Sequence, residues 1–267
     1  MPKYLGSDAE GKWRPTAPDY FDGAEPWWSK IKPLSLDTNS AFRPRPPLPF
    51  NKDSNSAFYA MVKEVYDIDN NLSSEQQTIA RYWDDNPFVI EHSGHLMFGN
   101  KKITPGGHWM GITAIACHKT NAGTVKTAQA YTLTAISLLD AFISCWDAKY
   151  VYEYVRPITL INEWFEKGWD AFLQTPPFPE YTSGHSTISG AASETLTVLF
   201  GDNFSFHDNS DSAYIGMTRD FSSFRQAASE ASVSRLYGGI HYRPSLDTGL
   251  VCGRIISNHL MQKLGMK

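Results

Sequence analysis

Two tripeptides in this 267-residue chain read Ser-Gly-His: Ser93-Gly94-His95 and Ser183-Gly184-His185. A hydroxyl beside an imidazole can move a proton, and a pair that opens a helix also meets free backbone N–H groups that attract an anion. The second tripeptide lies in "FPEYTSGHSTISGAASETLTVLF". Prolines precede it, and Ile188, Ala192, Leu196 and Leu199 follow at helical spacing, so it stands at a helix start. Ser183 on its own could equally be only the N-cap of that helix.

Two further stretches carry charge where an apolar face is expected. Steps of four and three pick out Ala135, Leu139, Phe142, Trp146, Lys149, Glu153 and Arg156, a stripe that is apolar for two turns and then turns basic. If Leu139 and Trp146 face the core, Lys149 and Arg156 point the same way, and buried cations are costly unless paired. Glu153, between them, is the ordinary partner for either; an anion is the alternative. In "SVSRLYGGIHYRP", Arg235 closes an amphipathic helix, Gly238-Gly239 breaks it, and His241 follows in a loop before a helix that starts at Pro244. Each stretch alone has an unremarkable explanation: a cap, a salt bridge, a surface arginine with a loop histidine.

Taken in order, Lys149-x6-Arg156-Pro157, Ser183-Gly184-His185 and Ser234-Arg235-x5-His241 resemble the three-part signature of the vanadium-dependent haloperoxidase and type 2 phosphatidic acid phosphatase superfamily. The resemblance spans roughly residues 75–260, and "CWDAKYVYEYVRPIT", "TPPFPEYTSGHS" and "SRLYGGIHYR" look most like the bacterial haloperoxidases. Ser93-Gly94-His95 has no such context and reads as a loop coincidence. His92 with His95 as a metal pair lacks further ligands.

The resemblance implies a tetrahedral oxyanion, vanadate or phosphate in the same site, held by Lys149, Arg156, Arg235, the Ser183 hydroxyl and the Gly184 N–H. It makes His241 the axial ligand of vanadium and His185 the acid/base at the opposite oxygen. Hydrogen peroxide and a halide would be the substrates, with Lys149 polarising the peroxide and Trp146 and Phe178 lining the halide side. Iodide or bromide, easier to oxidise than chloride, would give the hypohalous acid. The alternative is a soluble acid phosphatase in which His241 becomes a phosphohistidine. A silent anion-binding bundle is a third reading, weakened because binding alone needs no acid/base. Many relatives carry an Asp four residues after the second histidine. Here that position is Ser245, which leaves Asp247 or a backbone carbonyl to orient His241, or leaves the ring less firmly held. Trp146 and Phe178 could also simply pack in the core.

The elements that must position these residues read as helical. Helices are expected over 55–67, 74–85 (with the capping-box pattern "SSEQQ" and a stop before Pro87), from near Gly107, over 123–155 up to Arg156-Pro157, and over 185–200, 211–219, 222–237 and 245–264. No alternating strand stands out. The expected class is all-α, a helical bundle (51–267) preceded by an extended Pro- and Trp-rich arm (1–50) packed on it. Nine of the 16 prolines fall in that arm, so Trp13, Trp27, Trp28 and Phe50 must hold it rather than backbone ladders. The arm could also reach over a neighbour in a homo-oligomer.

A net charge of −4 supplies no basic field for nucleic acid or an anionic membrane surface. The apolar stretches read as too short and too polar for a membrane span, which suggests a soluble protein. Cys117, Cys145 and Cys252 fit no disulfide or CxxC pattern and are expected as buried apolar side chains. No signal-peptide core appears at the N-terminus, yet family members usually carry further N-terminal sequence. A truncated or processed form would fit a periplasmic or secreted protein, so the compartment stays open.

Overall fold

Prolines and turns deny residues 2–50 a regular ladder, and this arm lies along the helices with only a short 3-10 turn at Trp28–Lys30. The computed structural model describes residues 2–86, 89–99 and 102–266. Nine α-helices follow the arm among the described residues: α1 (Ala57–Asp69), α2 (Ser74–Tyr82), α3 (Pro105–Lys119), α4 (Thr124–Tyr152), α5 (Pro157–Trp164), α6 (Gly184–Phe200), α7 (Ser212–Ile215), α8 (Phe224–Tyr237) and α9 (Arg243–Lys263). The expected all-α class is what forms.

The caps explain several boundaries. Ser73 and Gln76 close the capping box that opens α2, as the sequence pattern requires. That helix stops at Tyr82, earlier than expected, and Pro87, the expected stop, lies outside the described residues. Helix α4 ends where Glu153 turns left-handed (φ 51°), and Pro157 then starts the separate helix α5, which the sequence reading missed. The helix expected over 211–219 shrinks to a single turn, because Gly216 turns left-handed (φ 69°) and ends it, and Arg219–Phe221 forms a strand.

That strand corrects the expectation of none. Two short antiparallel hairpins form: β1 (Ile90–Ser93) with β2 (Leu96–Gly99), and β3 (Phe206–Asp208) with β4 (Arg219–Phe221). At three or four residues each, they are too short to print an alternating pattern. Gly94 and exposed His95 form the turn of the first hairpin. The other half of the proposed metal pair, the side chain of His92, lies outside what the structure describes.

Helix α6 is the centre of the bundle and packs against α9, α8 and α4. Its approach to α9 is close enough to require glycine. A Cβ on Gly190 would lie 2.5 Å from the Leu250 carbonyl oxygen, and one on Gly253 would collide with the Thr187 carbonyl. Gly253→Ala will therefore overpack this seam and destabilise the chain by about 1–3 kcal/mol, read as a lower denaturation midpoint.

Acidic residues on α4 tie down the arm. Asp140 accepts from the N–H groups of Leu34 and Ser35, Asp147 takes a bidentate pair from Arg43, and Glu153 accepts from the Tyr4 hydroxyl at 2.6 Å and lies 3.4 Å from the Lys12 ammonium. Helix α4 is also long and apolar enough, by length and composition, to cross a membrane, contrary to the sequence expectation; 56% of its most apolar window is buried inside the protein. The three cysteines are free and buried, as expected.

Candidate active site

The last turn of α4, the loop before α6, the start of α6, the end of α8 and the loop before α9 converge on one point. Lys149, Arg156 and Ser183 are completely buried there, and Arg235 and His241 nearly so. The three cations sit together in a place that water does not reach, so their charges must be met by protein or by a bound anion.

Glu153, the ordinary partner expected for Lys149 and Arg156, serves neither. Its left-handed conformation turns the side chain toward Tyr4 and Lys12. Lys149 instead donates to the carbonyls of Pro179, Glu180 and Thr182, at 2.9, 3.0 and 2.5 Å. It also faces two aromatic rings, 5.0 Å from the centroid of Phe178 and 5.7 Å from that of Trp146. Arg156 lies 5.0 Å from the Phe178 centroid on its other contact, and donates to the Phe178 and Ile240 carbonyls.

Each histidine faces an arginine. Arg156 Nη1 lies 3.1 Å from His241 Nε2, and Arg235 Nη1 lies 2.8 Å from His185 Nε2. A guanidinium only donates, so both Nε2 atoms must be the bare acceptor nitrogens. Burial, and then the arginine charge, drives both histidines well below their ordinary value of 6.5. Both rings are therefore neutral at pH 7, each with a lone pair aimed at a cation.

What orients His241 is Glu180, which the sequence reading quoted without a role. Its Oε1 accepts from His241 Nδ1 at 2.8 Å and from the Tyr242 backbone N–H at 3.0 Å. That bond fixes the proton on Nδ1 and leaves Nε2 free. Asp247, the candidate proposed from spacing, is exposed. One sequence signal did exist: Glu180 is the only carboxylate between Asp170 and Glu194, and it sits three residues before Ser183. Burial raises its carboxyl to about 7, while Arg156 and Lys149 pull the other way.

Asp84 is a second acid at the site. It pairs with Lys102 and lies 3.7 Å from Arg235 Nη2, while the Trp83 and Asp84 carbonyls accept from Arg235 Nη1. His108, between Asp85 and Asp208 at 3.0 Å from each, stacks on Trp83 and backs this loop; the two acids lift it to about 10 against the pull of burial.

Donors remain unspent. Among the described residues, Arg156 Nη2 and Arg235 Nε are buried without a hydrogen-bond partner. Ser183 caps α6 by accepting from the Ser186 N–H, which still leaves its hydroxyl proton free to donate, and the first N–H groups of α6 have no intrahelical acceptor. This set of idle N–H and O–H donors around neutral histidine nitrogens suits a tetrahedral oxyanion. Among the described residues no cluster of His, Cys, Asp and Glu could hold a bare metal ion. The single imidazole at His241 suits a metal that arrives as an oxyanion.

A cavity of about 280 Å³ opens above the site, lined by Gly184, His185, Arg235, His241, Trp146 and Phe178 among others. Lys149, Arg156 and Ser183 form the layer behind that wall. Trp146 and Phe178 touch, with centroids 5.1 Å apart. All nine residues singled out from the sequence thus lie in one neighbourhood. Ser93, at the end of β1, and the Gly94-His95 turn do not line this cavity.

Desolvation depresses Lys149 from 10.5 to about 7. Between these two values the unfolded chain holds a proton that the folded chain lacks, so stability of the anion-free protein rises with pH across this window. The slope is at most about 1.4 kcal/mol per pH unit. Denaturation midpoints at pH 7 to 9 will climb less steeply in Lys149→Met than in the parent chain.

Residues 129–266 match the VCPO second helical-bundle domain. The structure of the first bacterial vanadium-dependent iodoperoxidase superposes with a TM-score of 0.91 and 50% identity over 100% of this chain. The chain spans 62% of that protein's length. The holo form of a bacterial vanadium-dependent chloroperoxidase shares the fold, with a TM-score of 0.74 at 16% identity, over 97% of this chain and 62% of that one. No curated protein matches. The ordered motif, the helical bundle that converges on it and the domain match over residues 129–266 place this chain in the vanadium haloperoxidase family.

Proposed function

We propose that this chain is a vanadate-dependent haloperoxidase that oxidises iodide or bromide with hydrogen peroxide to the hypohalous acid. The observation that carries this reading is the pairing of each neutral histidine with an arginine, beside unspent guanidinium donors and an aromatic wall. An anion placed there would satisfy all of them at once.

In this reading His241 Nε2 is the metal ligand, held in the right tautomer by Glu180. Arg156, Arg235, the Ser183 hydroxyl and the Gly184 N–H hold the oxygens. Lys149 sits behind them, and turning one N–H from a carbonyl toward the site would polarise bound peroxide. Bound vanadate supplies Lewis acidity toward peroxide without changing its own oxidation state. His185 Nε2 takes a proton from incoming peroxide and returns it later. Trp146 and Phe178 keep water from the halide side. Iodide is favoured because the similar iodoperoxidase is 50% identical.

Phosphate fits the same donors, and the anchored His241 lone pair would also suit a nucleophile in a phosphatase. The aromatic wall beside the cations favours the halide reading. Assays in parallel separate the two. The stripped chain is expected to leave p-nitrophenyl phosphate intact and to oxidise iodide once orthovanadate is added. Steady phosphate-ester hydrolysis blocked by vanadate would establish the phosphatase instead.

A further inference from the structure

The cavity is larger than peroxide and a halide require. It offers about 280 Å³, whereas a water molecule takes about 30 Å³ of liquid and a cavity of about 150 Å³ already holds benzene. The arm supplies part of the cavity wall. Ala24 is fixed by its N–H to the Pro177 carbonyl at 2.7 Å and by its own carbonyl, which accepts from Trp146 Nε1 at 3.3 Å and from the Tyr150 hydroxyl. Glu25 and Trp28, next along the arm, line the cavity. The Trp28 ring meets Phe142 edge-on at 5.1 Å and Trp146 at 5.5 Å, and Phe142 meets Trp146 at 5.3 Å. With Phe178 these rings form a continuous aromatic surface running from the arm to the buried cations.

We infer that this surface binds the organic acceptor of the halogenation: a neutral, electron-rich, single-ring aromatic such as a phenol. The inference rests on the haloperoxidase reading. Ring faces and edges select an aromatic partner, and the volume admits one substituted ring. Glu25 on the cavity wall disfavours an acceptor that is itself an acid. Held there, the ring lies next to the point where hypohalous acid is released. A ring carbon attacks the iodine of hypoiodous acid, and the I–O bond breaks with its electron pair on oxygen. The C–I bond forms, and the displaced ring proton joins the hydroxide as water. The ring is oxidised by two electrons and iodine is reduced by two.

The test is the isomer ratio of iodophenols that the vanadate-loaded enzyme makes from phenol, compared with free hypoiodite in the same buffer. Gly106 provides the variant, since it lines the cavity and, among the described residues, a Cβ there would meet Phe142 alone, at 3.9 Å. Gly106→Leu fills the space, and Gly106→Ala is the folding control. Binding of phenol without peroxide, followed by tryptophan fluorescence, is measured on the same proteins, with 4-hydroxybenzoate expected to bind more weakly. The subsite predicts an ortho/para ratio shifted about fivefold from the reagent's, as fixed orientation produces. That shift and phenol binding persist in Gly106→Ala and vanish in Gly106→Leu. A reagent-like ratio from the parent enzyme, or a shifted ratio that survives Gly106→Leu, overturns the subsite while iodide oxidation stands. Failure of vanadate-dependent triiodide formation overturns the haloperoxidase reading and the acceptor role with it.

Discussion

His185→Ala will lower vanadate-dependent halide oxidation about 10²- to 10⁴-fold, the usual worth of a positioned acid/base. The ring lines the cavity at the start of α6, with Nε2 2.8 Å from Arg235 Nη1. Burial and that arginine hold it well below its ordinary value of 6.5, so it begins the cycle able to accept a proton. An oxyanion beside His185 and Arg235 would offset the arginine's field and raise the imidazole's affinity for protons, which suits it to hand the proton back. In the proposed reading the change removes no vanadium ligand, since His241 would be the ligand. Orthovanadate affinity is thus expected to fall far less than turnover, and a steady-state titration separates the two. Equal loss of both would make His185 a binding residue only.

Glu180→Ala will weaken orthovanadate binding about 10- to 100-fold, the typical cost of removing the group that orients a metal-bound histidine. Without the carboxylate, His241 Nδ1–H and the Tyr242 N–H both lose their acceptor, and the ring is free to change tautomer or turn. Glu180→Gln keeps an oxygen within reach of Nδ1–H and is expected to recover most of the affinity. That ordering, alanine well below glutamine, distinguishes a positioning residue from one that merely fills space. If glutamine and alanine are equally impaired, the charge of Glu180 matters and its hydrogen bond does not.

The site residues were legible through the order and spacing in which they resemble a family signature, since each stretch alone had an ordinary explanation. Lys149 and Arg156 break an apolar stripe, and Ser183-Gly184-His185 stands where a helix must begin. Their original partners were not legible. Glu153 seemed the obvious counter-ion four residues along α4, but a left-handed residue at a helix end points away from the stripe that spacing assigns to it. Glu180 reaches His241 across 61 residues of sequence, and Asp84 reaches Arg235 across 151, separations that no periodicity reveals. The helices were readable to within a few residues wherever a cap marked them, as Ser73 marks α2. Helix α5 was missed since only Pro157 announces it, and the hairpins because they are too short to alternate. The arm's tryptophans signalled packing, but not that Trp28 would complete the wall of the cavity.

The most direct measurement is a titration of the metal-stripped chain with orthovanadate in the presence of hydrogen peroxide and iodide, following triiodide. The arrangement of His241, His185 and the three buried cations predicts no turnover before vanadate is added, and a rate that grows until one vanadate per chain is bound. Iodide oxidation that is independent of vanadate, or a chain that binds vanadate and never turns over, would contradict it.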